Sequence, residues 1–122
     1  HDIHMDPTLT SAQRSVQMFL DELGERLAQP WTVDSMAAAC GLGRSRFTHY
    51  VRKLANCSPA VALTRRRVQA AEGLLRARAD MTITDVAMAC GFGSSQYFAT
   101  VFRQMTGRTP REVRLERAED RR

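Results

Sequence analysis

Ala39-Cys40-Gly41-Leu42-Gly43 returns fifty residues later in the chain as Ala89-Cys90-Gly91-Phe92-Gly93. Each copy ends a short segment rich in small residues at a glycine, and a polar and aromatic segment with helical spacing follows. Glycine adopts most easily the left-handed backbone conformation that ends many helices. The repeat therefore predicts two helices joined by a sharp turn, twice over, which is the outline of a helix-turn-helix.

The repeat also carries the small residues that a helix-turn-helix needs. Its two helices cross closely, so a small side chain is required at the crossing and a flexible residue at the turn. Both copies supply them at the same spacing, as Ala37 with Gly41 and Ala87 with Gly91. Beyond the turn the offset between the copies rises from fifty to fifty-one, since Phe47 matches Phe98. The second copy therefore has one extra residue before its second helix.

Apolar periodicity, capping residues and prolines predict seven helices and no strand. The predicted helices cover approximately residues 10–28, 33–40, 44–55, 59–78, 83–90, 94–106 and 110–116. We therefore predict an all-α, homeodomain-like fold with two helix-turn-helix subdomains, at 10–57 and 80–116, joined by a long linker helix at 58–79. Residues 1–9 are expected to be a leader left by cloning, and residues 117–122 a charged, frayed tail.

The linker helix and the segment before the second helix carry further expectations. Steps of three and four residues predict a buried stripe formed by Val61, Thr64, Val68, Ala71 and Leu75. Gly73 interrupts this helix at a cost of about 1 kcal/mol relative to alanine. We take Gly73 as a point where another backbone passes close, with simple tolerance of glycine as the equally weighted alternative. Trp31 is expected to fill the core, with stacking on a ligand as the alternative.

Composition limits the protein class. With 122 residues and 43% apolar content, the chain can bury one modest core or two small ones. No apolar run approaches the roughly 18 residues needed to cross a bilayer, so we expect no membrane partner. Three cysteines without a C-x-x-C pair argue against a disulfide framework and a zinc site, and they fit the reducing cytoplasm. We expect no metal and no cofactor, with Cys40 and Cys90 as small packing residues.

Positive charge is concentrated in the middle of the chain. Residues 41–79 carry nine basic side chains against Glu72 alone, whereas residues 1–30 carry five acids against two bases. Such a segment indicates a polyanionic partner, although a basic run can also be an ordinary solvated face. No nucleophile with its base, paired carboxylates or phosphate loop is present, so we do not expect an enzyme. A polyanion such as DNA is one partner that suits this charge. The alternative is that the chain is an all-helical protein-interaction module that docks an acidic partner.

The length of the linker helix favours double-stranded DNA. About 20 residues at 1.5 Å each span about 30 Å. Successive major-groove faces on one side of B-DNA lie about 34 Å apart. A stiff helix of this length suits two recognition helices in neighbouring major grooves.

Residues 12–116 resemble the DNA-binding domain of the AraC/XylS family of bacterial transcription regulators. The likeness is most specific in the second half, in Ile83-Thr84-Asp85-Val86-Ala87, Cys90-Gly91-Phe92-Gly93, Tyr97-Phe98, Val101-Phe102-Arg103 and Thr106-Gly107-Arg108-Thr109-Pro110. In the first half it rests on Leu42, Ser45-Arg46-Phe47, His49, Arg52-Lys53, Arg67, Ala70-Ala71 and Leu74-Leu75. The resemblance implies two helix-turn-helix motifs that read adjacent major grooves. It also implies a cytoplasmic, nucleoid-associated transcription regulator, with activator as the expected type. Such a regulator works with RNA polymerase and carries a sensor or effector domain outside these residues.

The resemblance assigns site residues position by position. Contacts to bases are implied for Ser45, Arg46, Thr48 and His49 in the first recognition helix and for Ser95, Gln96, Tyr97 and Thr100 in the second. Contacts to phosphate are implied for Arg44, Arg52, Lys53, Ser94 and Arg103. Gln96 can pair bidentately with adenine, and His49 can donate to a guanine acceptor. Any of the small polar residues can instead be an ordinary solvated helix residue.

Two departures from the family pattern concern the second motif. Many relatives have a charged residue at the position of Thr100 and an acidic one near Gly93 or Ser94. We therefore expect weaker base readout by the second motif and most of the grip on DNA from the first. Arg65 and Arg66, on the linker, are as well suited to acidic groups of the same protein as to DNA.

Overall fold

The structure is a computed structural model that describes the backbone of residues 7–120 and the side chains of residues 11–116. Seven α-helices and one 3-10 turn make up this part of the chain, and it contains no strand. The helices are α1 Pro7–Glu22, α2 Val33–Ala39, α3 Arg44–Ala55, α4 Pro59–Ala77, α5 Ile83–Ala89, α6 Ser95–Thr106 and α7 Pro110–Asp120. The all-α prediction with seven helices is therefore confirmed.

The chain forms two compact units. The first unit contains the described residues up to Arg26 together with Trp31–Leu63, and the second contains Leu27–Pro30 and the described residues from Thr64 onward. The division falls inside α4, so the first turn of that helix belongs to the first unit and the remainder to the second. Each unit has its own hydrophobic core.

The core of the first unit forms where α3 packs against α1 and α2. Val16, Phe47 and Val51 are fully buried there. Phe19 packs edge-on against Phe47, with 6.0 Å between ring centroids, and against Trp31 at 5.3 Å. The Trp31 indole N–H donates to the Arg26 carbonyl over 2.9 Å, and the ring is only partly buried. Trp31 therefore closes the rim of the core rather than filling its centre.

The core of the second unit is aromatic. Phe98 and Phe102 are fully buried, with 5.4 Å between their ring centroids, and the Phe92 ring lies 4.9 Å from that of Phe98. Val86 and Val113 pack in the same cluster, so α5, α6 and α7 all contribute to it. Of the two adjacent aromatic residues in α6, Phe98 is therefore the one in the core.

The last helix is held by polar contacts that sequence reasoning missed. Thr109 and Glu112 form a capping box, because each backbone N–H donates to the other's side chain over 2.8 and 3.1 Å. The Arg114 guanidinium donates to the carbonyls of Arg78 and Met81. The Thr-x-x-Glu pattern at 109–112 was a visible signal for the first of these contacts.

The limits of the first and last helices correct the predictions. α1 begins at Pro7 and ends at Glu22, followed by a 3-10 turn over Leu23–Glu25, whereas we expected helix from Thr10 to Ala28. Gly24 weakens helix propagation, and the tighter turn still buries the leucine side chains at 23 and 27. Of the leader assigned to residues 1–9, residues 1–6 lie outside the described part, while residues 7–9 are helical.

The predicted charged tail is also partly helical. α7 continues to Asp120 instead of fraying at residue 117, because its Glu, Arg and Ala residues are good helix formers. Residues 121–122 lie outside the described part of the chain.

Two expectations about α4 were wrong. Val61 is exposed, since Pro59, Ala62 and Leu63 occupy the buried side of the first turn at helical spacing. At Gly73 an added Cβ would meet no atom within 4 Å, so no backbone passes close and the position simply tolerates glycine. The remainder of the stripe is buried as predicted, at Val68, Ala71 and Leu75 with Thr64 partly buried.

Candidate nucleic-acid interface

The turn of the first helix-turn-helix is a Schellman motif. The Leu42 N–H donates to the Ala37 carbonyl and the Gly41 N–H to the Ala38 carbonyl, each over 3.0 Å. Gly41 has a φ of +70°, the left-handed conformation that favours glycine. Ala37, the predicted crossing residue, is 1% exposed.

The turn of the second motif repeats this hydrogen-bond pattern. The Phe92 N–H donates to the Ala87 carbonyl over 2.9 Å, and the Gly91 N–H donates to the Met88 carbonyl over 3.1 Å. Gly91 has a φ of +91°, and Ala87 is fully buried. The sequence repeat is therefore a repeat of backbone conformation as well.

Matching caps begin the first helix of each motif. The Thr32 side chain accepts from the Ser35 N–H, and the Ser35 side chain accepts from the Thr32 N–H. In the same way, the Thr82 side chain accepts from the Asp85 N–H, and the Asp85 side chain accepts from the Thr82 N–H. These two boxes fix where α2 and α5 begin.

The extra residue of the second copy lies between its turn and its recognition helix. α3 begins three residues after Gly41, with Gly43 as a cap that has no side chain. α6 begins four residues after Gly91, and the Ser94 side chain at its cap accepts from the Tyr97 N–H over 3.1 Å. The one-residue offset is confirmed, and the added residue allows a capped start for α6.

The predicted site residues of α3 share one exposed face. Phe47, Tyr50 and Val51 turn inward, which leaves the polar residues on the opposite side of the helix. The exposed members are Arg44, Ser45, Arg46, His49, Arg52 and Lys53, and Thr48 is partly exposed. Arg44 lies 3.9 Å from the Asp34 carboxylate, but both side chains are at least two-thirds exposed, so this pair is weak.

The predicted site residues of α6 form a smaller and less charged face. Gln96, Tyr97, Thr100 and Arg103 are exposed, with Ser95 partly exposed. Tyr97 is 57% exposed, and its ring centroid lies 6.1 Å from that of Phe92. The Thr100 hydroxyl donates to the Gln96 carbonyl over 3.1 Å. Only Arg103 brings positive charge to this face.

Several basic residues of the 41–79 segment are engaged within the protein. The Arg67 guanidinium donates to the carbonyls of Leu27 and Gln29, and Arg78 pairs with Asp80 over 2.9 Å. Arg76 pairs with two carboxylates, those of Glu72 at 3.3 Å and Glu116 at 3.8 Å. The expectation that the whole basic run faces a polyanion therefore fails for these three arginines.

The other basic residues of this segment remain open to solvent or partly so. Among the described side chains, no ion pair engages Arg46, Arg52, Lys53, Arg65 or Arg66. The partner of Arg65 and Arg66, an acidic group of the same protein or DNA, stays a prediction.

The cysteines at the two turns are packed. Cys90 is 1% exposed, and Cys40 is half-buried with its thiol 3.9 Å from the Ser15 carbonyl oxygen. Burial raises the pKa of both thiols to about 11. The protonated form is thereby favoured, which suits a packing role.

Two further features concern the described residues, namely a membrane-spanning helix and a metal site. No helix within residues 7–120 combines the length and apolar character needed to cross a membrane. In the same part of the chain, His, Cys, Asp and Glu side chains do not gather in threes in a way that could hold a metal ion.

Comparisons with known proteins agree with this geometry. The sequence profile of a helix-turn-helix domain family matches residues 36–116. The virulence regulon transcriptional activator VirF of Yersinia enterocolitica is 31% identical over 103 residues, covering 84% of this chain and 36% of VirF. The transcriptional activator RhaS of Klebsiella pneumoniae is 31% identical over 105 residues, covering 86% of this chain and 37% of RhaS. The chain thus spans little more than a third of these curated relatives.

Solved structures match over nearly the whole chain. The DNA-binding domain of AdpA, a global transcriptional factor, solved in complex with a target DNA, matches with a TM-score of 0.81. It is 27% identical, and the match covers 88% of this chain and 96% of that one. These relatives are transcription regulators and not enzymes. The chain belongs to the AraC/XylS family of bacterial transcription regulators, and it is a DNA-binding domain with two helix-turn-helix motifs.

Proposed function

We propose that the domain binds double-stranded DNA sequence-specifically, with α3 and α6 in adjacent major grooves. The observation that carries the proposal is the pair of 12-residue helices, each following a left-handed glycine turn and each exposing a polar face. The likeness to AdpA, whose domain was solved with its target DNA, supports it.

The exposed faces suggest how contacts are divided. Ser45, Arg46, Thr48 and His49 of α3, and Ser95, Gln96, Tyr97 and Thr100 of α6, are proposed to read bases. Arg44, Arg52, Lys53, Ser94 and Arg103 are proposed to contact phosphates, which fix position without reading sequence. Because the Ser94 oxygen already accepts from the Tyr97 N–H, a phosphate contact there would use its O–H as donor.

The two motifs are proposed to contribute unequally. α3 carries four basic side chains, whereas Arg103 is the one basic residue of α6. Counterion release upon phosphate neutralisation supplies much of protein–DNA affinity. We therefore assign most of the affinity for DNA to the first motif, and a smaller contribution with weaker base readout to the second.

The role of the full-length protein is proposed from its relatives. VirF and RhaS are both named as transcriptional activators, and this chain matches little more than a third of each. We infer that the protein activates transcription with RNA polymerase as partner, and that a sensor or effector domain lies elsewhere in it.

Selection of bound duplexes from a randomised pool tests the proposal directly. Two preferred blocks about one helical turn apart are expected, because each motif would read one groove. A single block would reject groove reading by one of the motifs. No salt-sensitive binding to any duplex would reject DNA binding and favour the alternative, a module that docks an acidic protein.

Two matched variants then separate readout from positioning. Gln96→Ala should cost about 1–3 kcal/mol at the selected site and relax preference at one base pair. Lys53→Ala should weaken binding to all sequences alike and reduce the salt slope by about 1. Gel shifts on selected and scrambled duplexes at several salt concentrations measure both. Equal losses on both duplexes for Gln96→Ala would contradict its role as a reader.

A further inference from the structure

The Arg67 side chain makes contacts that differ from those of its basic neighbours. Its Nε donates to the Leu27 carbonyl over 3.1 Å, and its Nη2 donates to the Gln29 carbonyl over 2.9 Å. The planar guanidinium holds both carbonyls at once, which a lysine ammonium cannot do with the same geometry. Arg67 therefore clamps the Leu27–Pro30 segment, which belongs to the second unit.

The clamped segment rests on the turn of the second helix-turn-helix. A Cβ added to Gly91 would overlap the Leu27 carbonyl oxygen and would lie 2.7 Å from the Arg67 Nε. The corresponding position in the first motif, Gly41, has no atom within 4 Å of an added Cβ. The second turn is thus braced from outside, and the first is not.

The Arg67 side chain is partly buried next to the second turn. Burial lowers the pKa of Arg67 from its usual value, and interactions with Tyr97 and Cys90 oppose that shift. Tyr97 lies in the first turn of α6, on the exposed face proposed to read bases, and Cys90 immediately precedes the turn glycine. The Arg67 guanidinium therefore lies against Gly91, the glycine of the turn that leads into α6.

We propose that Arg67 is a positioning residue for DNA readout by α6: it holds the Leu27–Gln29 carbonyls against the Gly91 turn and so sets the start of the recognition helix. It does this without contacting phosphate. The inference rests on the proposed function, because readout by α6 is part of that function. It adds a residue outside both recognition helices to the determinants of specificity.

The opposing role for Arg67 is a phosphate contact, and the two roles predict different responses to substitution. A phosphate contact supplies charge, so Arg67→Lys would retain most of the affinity and Arg67→Ala would reduce the salt slope by about 1. A positioning clamp depends instead on the planar guanidinium, whose N–H groups donate to both carbonyls at once. Arg67→Lys should then bind the selected site about tenfold more weakly with an unchanged salt slope.

The binding experiment uses Arg103→Ala as the matched control from the same unit. Arg103→Ala should reduce the salt slope by about 1 and leave sequence preference unchanged. Arg67→Lys should leave the salt slope unchanged and should relax sequence preference only in the block of the DNA site that Gln96→Ala also alters. Wild-type preference and affinity in Arg67→Lys, or a reduced salt slope in Arg67→Ala, would overturn the proposal.

Hydrogen exchange of the free protein gives a second readout that needs no DNA. Arg67→Lys should speed exchange of the amides of residues 91–97 at least about tenfold, because the brace on the turn is lost. Arg103→Ala should leave them unchanged. Unaltered exchange in Arg67→Lys would overturn the clamp itself. Faster exchange in a domain whose wild type binds no duplex would instead reject the proposed function while supporting the clamp.

Discussion

Arginine side chains of this domain serve two chemically different purposes. Arg67 and Arg114 each donate to two backbone carbonyls of a connecting segment, whereas Arg46 and Arg52 extend into solvent from α3. A guanidinium suits either purpose, since its N–H donors can bond backbone carbonyls as well as phosphate oxygens. The residue type alone therefore does not reveal which arginines are available to a polyanion, and the count of nine basic residues overstated the free charge.

The thiols at the two turns provide a test of packing at single residues. With the pKa of Cys40 and Cys90 raised to about 11, about one thiol in a thousand is ionised at pH 8. Iodoacetamide at pH 8 should therefore alkylate both residues at least about tenfold more slowly in the folded protein than in urea. Mass spectrometry of digested samples measures the rates. Equal rates in the two conditions would contradict the burial of these thiols.

The same pKa shift has a consequence for stability. Because the folded-state pKa lies above the ordinary thiol value of 9.0, protonation is favoured in the folded protein. The associated stabilisation is complete below about pH 9 and is lost as the pH rises towards 11. Cys90→Ala should lower stability near neutral pH while flattening this alkaline decline, and urea titrations at pH 7 and pH 10 compare the two.

Helix limits could be predicted wherever a cap or turn residue marks them locally. The limits of α3, Arg44–Ala55, were predicted to the residue, and the predicted starts of α2 at Val33 and of α5 at Ile83 also match the structure. The errors fell where no such residue decides. α1 ends early at a glycine within an otherwise periodic run. Val61 is exposed although it was predicted to be buried, because neighbouring residues of α4 form the buried side of its first turn.

The same Gly→Ala substitution at three glycines should change the stability of the domain by different amounts. Gly41→Ala should cost about 1–2 kcal/mol, which is the strain of a left-handed alanine in open space. Gly91→Ala should cost more than about 3 kcal/mol, because overlap with the Leu27 carbonyl adds to that strain. Gly73→Ala, in an exposed helix with free space, should stabilise by up to about 1 kcal/mol.

Urea unfolding of the three glycine variants beside the wild type measures these differences. Gly73→Ala serves as the control, since it makes the same chemical change without strain or overlap. If Gly91→Ala proved as stable as Gly41→Ala, the brace on the second turn would not exist in solution.

For the domain as a whole, affinity should depend steeply on salt. The four proposed phosphate-contacting cations, Arg44, Arg52, Lys53 and Arg103, predict a slope of log K against log salt at least as steep as about −3.5. Titrations between 50 and 200 mM salt, roughly the range in which such slopes are linear, measure it. Arg103→Ala should make the slope shallower by about 1 only if the second motif engages DNA. A wild-type slope shallower than about −2 would contradict four contacts.

The repeat, its helix-turn-helix motifs and the family were all accessible from the amino-acid order. Each depends on residues close together in the chain: a small residue and a glycine four apart, a cap three residues from its partner, an apolar stripe at helical steps. Backbone preference and local hydrogen bonding act over these distances, so local sequence carries the information. The one-residue offset between the copies belongs to the same class.

Contacts between residues far apart in the chain were decided by folding alone. Arg67 meets carbonyls about forty residues before it, Arg114 meets a carbonyl 33 residues before it, and the boundary between the two units falls inside a continuous helix. Such contacts follow from which surfaces pack, and packing depends on the whole core rather than on spacing. Gly41 and Gly91, at matching positions of the sequence repeat, thus differ in the atoms that surround them.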